Sequence, residues 1–164
     1  MKLVGPDNLK LRTSCNYLHI DVDMPEVLLV AKTGNSLLSY ARRTKGCVGL
    51  ASNQVGIMRR VCVAKINNSW KVFINPRIIE SKGHQKSLQE ACLSFPGIIG
   101  DIKRAKLLTV SWWELEEHRI IGFEDTFQGR DAIIMEHEID HLNGIRCIDK
   151  MKHKKFLTVK RPTR

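Results

Sequence analysis

The chain has 164 residues, 43% of them hydrophobic, which suits one globular domain with its own core. Lys and Arg number 27 against 17 Asp and Glu, a formal net charge of +10 that favours contact with something anionic. No apolar run approaches a membrane span, and the opening MKLVGPDNLK lacks the apolar stretch of a signal peptide, so membrane-spanning and secreted classes are set aside. The widely spaced cysteines Cys15, Cys47, Cys62, Cys92 and Cys147 then read as reduced thiols of a cytoplasmic protein.

The first twenty residues look extended or irregular, with a turn signal at Pro6-Asp7. Asp23 suits a helix cap, Pro25 its first turn, and VLLVA opens an apolar face. Lys45-Gly46 ends that helix, and Gly34 and Asn35 weaken its middle. Short β-like runs follow: residues 60–66 (RVCVAKI) alternate, Asn67-Asn68 turns, 71–74 (KVFI) returns, and 78–80 is a further strand. Residues 107–115 (LLTVSWWEL) and 118–123 (HRIIGF) bracket an acidic turn and read as a hairpin. Residues 130–142 (RDAIIMEHEIDHL) read as a helix stopped by Asn143-Gly144, apolar around much of its circumference and therefore buried. Short strands around a buried helix predict an α+β fold, a single domain over 1–149. Residues 150–164, rich in lysine and without an acid, read as a short basic tail, solvated and mobile. No aromatic RNA-binding pattern lies beside it, so specific nucleic-acid recognition is not expected.

On the last helix, His137 and His141 stand at i and i+4, one turn apart on one face, where both imidazoles reach one cation. Glu138 follows the first histidine, placed to take a proton from a metal-bound water rather than to bind the metal. The bland alternative is a solvated charged face, but IIMEHEIDHL is apolar, where unpaired polar groups are costly. The third ligand has two candidates. Read onward, H-E-x-x-H-x-x-G-x-x-C is the metzincin protease pattern with Cys147 in place of its last histidine, Gly144 permitting the turn. Upstream, Cys92 sits in EACLSFPG at 90–97, where a thiolate could approach the helix from a neighbouring strand or loop.

Three stretches decide between them: CVGLASNQVGI at 47–57, EACLS at 90–94 and HEIDH at 137–141. In this order and at these separations they resemble the three motifs of the peptide deformylases, with weaker similarity from Pro6 through Asp149, including FINPRI at 73–78 and Arg104 after the FPG turn. The resemblance implies antiparallel β-sheets of short strands packed around a buried central helix carrying HEIDH, with an N-terminal helix. It implies a metal bound by Cys92, His137 and His141, with Cys147 structural. By the resemblance, hydroxide generated at that metal would attack the formyl carbon of an N-terminal formyl-methionine and release formate, with Glu138 as general base and acid. By the resemblance, the Gln54 amide and the Leu93 backbone N–H would serve the oxyanion. The resemblance likewise implies that Val48 and Gly49 form the strand edge that pairs with peptide and that Leu88, Glu90, Ile133 and Ile134 contribute to the substrate site. The metal is expected to be Fe(II) in the cell, with Zn, Ni or Co able to substitute. The expected partners are formyl-Met nascent peptides, with ribosome contact weak or transient at most, and the protein is expected as a monomer.

The sequence departs from the family pattern in places. Cys47 stands where glycine is usual and would narrow the groove or add a thiol near the metal; Ser52 and Ala91 replace small residues. Arg130 stands where the pocket wall is often apolar, and Ile99 where an arginine is frequent. Only some fifteen residues follow Asp149, so the C-terminal helix of many bacterial members is not expected, a compactness that also suits a phage origin.

Overall fold

The run at 60–66 lies inside one antiparallel sheet, between two neighbouring strands. In the computed structural model, which describes residues 1–19, 24–116 and 119–157, that sheet has the order β1 (Gly49–Ala51), β2 (Val61–Ile66), β3 (Ser69–Ala91), β4 (Ile98–Glu116) and β5 (Arg119–Gln128), and β6 (Lys152–Phe156) pairs with β4. Asn67 and Asn68 make the β2–β3 turn with φ of 48° and 62°, the left-handed region that asparagine tolerates. The expected hairpin is the β4–β5 pair, in register from Leu107↔Gln128 to Glu116↔Arg119; His118, placed in it from the sequence, lies outside the described residues.

The short runs read from the sequence are pieces of two long, bent strands. β3 shifts register against β4 between Ile74 and Arg77, between Ile78 and Glu80 and between Ser87 and Glu90. These bulges bend the strand without ending it. The first holds Asn75 at φ 50°, whose amide side chain accepts from Leu18 N at 2.9 Å and donates to Leu18 O at 2.7 Å. It ties the N-terminal arm to the sheet.

Helix α1 spans Met24–Arg43 and ends three residues before Gly46, which has φ 77°. Asp23, the expected cap, lies outside the described residues. The helix continues through Gly34, where a Cβ would come 2.6 Å from Val72 Cγ1, so the glycine serves close helix–sheet packing and does not break the helix. Helix α2 (Gly129–Leu142) is the expected buried helix. Ala132, Met135, Ile139 and Leu142 pack against Phe73, Leu108, Val110, Trp112 and Phe127 from the sheet. Fully burying side chains such as Met135 and Leu142 contributes about 1.5–3 kcal/mol each. Gly144 (φ 73°) stops the helix, and a Cβ there would meet the backbone of Arg12 and Thr13.

After the short helix α3 (Cys147–Lys150), the chain departs from the expected loose tail. Lys152–Phe156 is solvated, as its lysines require, but forms β6, with Phe156 opposite Ile98 and Lys155 opposite Ile99. Charged side chains suit an exposed edge strand. Among the described residues no helix is long and apolar enough to cross a membrane.

Candidate metal centre and substrate groove

The end of β3 and the last turns of α2 bring the sequence candidates together. Ligand atoms of Cys92, His137 and His141 all lie within 4.8 Å of one another. Cys92 Sγ is 3.2 Å from His141 Nε2. His137 Nδ1 is 2.6 Å from Glu90 Oε1; since the carboxylate only accepts, this nitrogen carries the hydrogen and leaves Nε2 free to ligate. One sulfur and two imidazoles at this spacing fit a divalent cation of intermediate softness.

Cys147, the other candidate, lies behind Cys92 in the same apolar cluster. Its thiol hydrogen-bonds to Cys92 and, against the cost of burial, holds the Cys92 thiol well below its ordinary range. The same contact and burial push Cys147 up. Cys92 thus favours the thiolate that a metal needs, and Cys147 stays a neutral donor to it.

Glu138 is 3% exposed, and burial raises its carboxyl to about 7. Its Oε2 has no hydrogen-bond partner, an orphaned acceptor beside the three ligands. Gly49 makes room for it, since a Cβ there would overlap the Glu138 carboxylate. Gln54, on the 3-10 turn Ser52–Val55, accepts from Ala51 N at 2.8 Å through Oε1 and directs Nε2 to Ser94 Oγ at 3.0 Å and Cys92 Sγ at 3.6 Å. Its amide N–H groups therefore face Cys92 and Ser94.

A network not anticipated from the sequence lies behind the ligands. Arg104, fully buried, donates to Glu90 at 2.5 Å, to Asp140 at 2.5 Å and to Glu136 at 3.2 Å. Lys150 from α3 adds bonds to Asp140 at 2.7 Å and Glu136 at 3.1 Å. Burial pushes the Glu90 carboxyl up, but the hydrogen bonds from His137 and Arg104 outweigh it and hold it down to about 2. Glu90 is therefore ionised and fixes the His137 ring. The signal was present in α2: carboxylates at 136 and 140, one turn apart in an apolar helix, demand buried cations.

These groups open into a groove of about 370 Å³. Val48, Gly49, Glu90, Leu93, Ile133 and Ile134, all named from the sequence, line it. Lys65 N donates to Val48 O, and ladder alternation leaves the Gly49 backbone facing the open edge, where the Cys47 thiol donates to Gly49 O at 3.2 Å. Leu88 is the correction: it is 66% exposed and does not line the groove. The bulge between Ser87 and Glu90, with Gln89 at φ 53°, buries Ser87 and turns Leu88 outward. Arg130 is exposed and also stands outside the groove.

Residues 4–156 match the family model for polypeptide deformylase. The chain belongs to the peptide deformylase family. It is 41% identical over 105 residues to a peptide deformylase of Thermoanaerobacter pseudethanolicus, a match covering 63% of this chain and 62% of that relative's length. It is 37% identical over 114 residues to that of Thermotoga neapolitana, covering 70% and 68%. Among solved structures, the peptide deformylase of Thermotoga maritima superimposes with a TM-score of 0.79 at 31% identity, over 92% of this chain and 97% of that one. The peptide deformylase of the Vibrio parahaemolyticus bacteriophage VP16T, in complex with actinonin, gives 0.70 at 30% identity, over 89% and 99%. The family match runs through β6, so the strand that the sequence reading assigned to a tail lies within it.

Proposed function

We propose that the chain is a metal-dependent peptide deformylase, removing the N-formyl group from the formyl-methionine of nascent polypeptides and releasing formate. The observation that carries this reading is the Cys92, His137 and His141 cluster beside the orphaned Glu138 carboxylate, at the floor of an open groove. Structural zinc sites are closed by four protein ligands; three ligands with a neighbouring acid and an open side suit hydrolysis.

A divalent cation held there supplies a Lewis acid for the formyl oxygen and a water that ionises near neutral pH. Glu138 takes the proton of the attacking water and passes it to the leaving amine. The Gln54 amide and the Leu93 N–H donate to the charge developing on the formyl oxygen. The open edge at Gly49 pairs with the extended peptide through main-chain groups, which reads no particular sequence. Val48, Ile133 and Ile134 supply apolar wall for the methionine side chain, and Glu90 holds His137 in place.

The thiolate ligand suits Fe(II) as the cellular metal, with Zn, Ni or Co as substitutes. The protein works in the cytoplasm as a monomer, where its five free cysteines stay reduced. Its positive surface gives at most a weak, salt-sensitive affinity for ribosomes.

Two cysteine variants test the ligand assignment. Cys92→Ser is expected to lose metal-dependent formate release, and Cys147→Ser to keep the reaction with a weakened metal site. The reverse pattern would support a peptidase-like site built on Cys147, and full activity in both variants would discard both assignments.

A further inference from the structure

The far bank of the groove is built by a segment that no catalytic step uses. Gly97, Ile98 and Ile99 at the start of β4 line it, and so does Leu157, which follows β6. The pairing of β6 with β4 sets this position: Phe156 stands opposite Ile98, and Leu157 N donates to Gly97 O at 2.7 Å. Leu157 is nevertheless 54% exposed, a leucine held by backbone bonds at the rim of a cavity with much of its apolar surface in water. Cys47, Val48 and Gly49, at the open edge, line the same groove.

We infer that Leu157, with Ile99, is a specificity-determining wall for the peptide side chains that follow methionine. The inference rests on the deformylase reading for the direction of the peptide. With the formyl group at the metal ligands and methionine against Ile133 and Ile134, the extended chain leaves along the Gly49 edge at about 3.3 Å per residue. Its second and third residues then run through the groove that Ile99 and Leu157 also line, and alternation turns one of them toward Leu157. An apolar side chain there covers the exposed face of Leu157, and a small polar one leaves it wet. Ile99 adds apolar surface and no charge, so this bank favours leucine-like side chains over acidic or small ones.

Leu157→Asp is tested with formyl-Met-Ala-Ser, formyl-Met-Leu-Ser and formyl-Met-Ala-Leu. KM for one of the two leucine peptides is expected to rise about fivefold relative to the Ala-Ser peptide, with kcat unchanged. Phe156→Ser separates side-chain contact from loss of the strand: Phe156 pairs with β4 but does not line the groove. It is expected to leave the selectivity as in the parent. An equal KM change for all three peptides in Leu157→Asp, or no change, overturns the inference. So does the same loss of selectivity in Phe156→Ser. Calorimetric binding of Met-Leu-Ser, Met-Ala-Leu and Met-Ala-Ser gives the same comparison without turnover. Absence of formate from the parent protein therefore counts against the deformylase reading, and unchanged binding selectivity counts against Leu157.

Discussion

Glu138→Gln is expected to lower kcat for formyl-peptide hydrolysis roughly 10²–10⁴-fold while the protein still binds one metal ion per chain. The glutamine keeps the shape that fills the space beside Gly49 but has no carboxylate to take a proton. Glu138 contributes no ligand atom to the three-residue cluster, so metal affinity is expected to survive. Stability is expected to hold or improve, because the parent carries a buried carboxylate oxygen without a partner. Formate release, metal content by atomic absorption and a urea melt, measured on the same preparation, check all three. Activity within tenfold of the parent would remove Glu138 from the chemistry, and loss of metal would make it a structural part of the site.

Arg104→Met is expected to cost about 3–5 kcal/mol of folding stability, a large share of the roughly 5–15 kcal/mol typical of a domain. The arginine is fully buried and donates to Glu90, Glu136 and Asp140, carried by β3 and α2. Removing it leaves these carboxylates facing one another, with Lys150 bonded to two of them and half-buried at the edge. The methionine fills the volume but satisfies no acceptor. A shift of the urea midpoint at unchanged slope measures the loss. Metal affinity should also fall about 10–100-fold, because Glu90 then loses the partner that holds it against His137. A destabilisation under 1 kcal/mol would mean that the carboxylates find water or protons instead of needing the arginine.

The elements legible in the sequence were those whose local pattern agrees with their surroundings. α2 has a helical apolar face, a histidine pair one turn apart and a glycine stop, and each survives in the fold. β4 alternates through the hairpin with Leu108, Val110 and Trp112 inward, while β2 is a short apolar run buried on both faces. The length of β3 was hidden because Asn75-Pro76 and Gly83 look like chain breaks; in the fold they sit within a bent strand. Gly34 looked like a weak point because a sequence does not show that Val72 crosses one side of its helix. β6 was missed because its lysines carry low strand propensity, while its pairing depends on β4, far away in the chain.

The site divides in the same way. His137, Glu138 and His141 could be read from spacing alone, since one helix turn carries them. Cys92 and Gln54 could not: a strand end and a 3-10 turn bring them to the helix, and only the three-motif resemblance linked them. Leu88 was assigned to the pocket on the family resemblance; the bulge between Ser87 and Glu90 turns it outward.

The central claim is that Cys92, His137 and His141 hold a metal at which Glu138 hydrolyses a formamide. Its most direct test is formate release from a formyl-Met tripeptide by protein purified without oxygen and loaded with Fe(II) or Ni(II). The account predicts release that stops with a chelator and resumes when metal is restored. No release from protein shown to hold one metal ion per chain would contradict it.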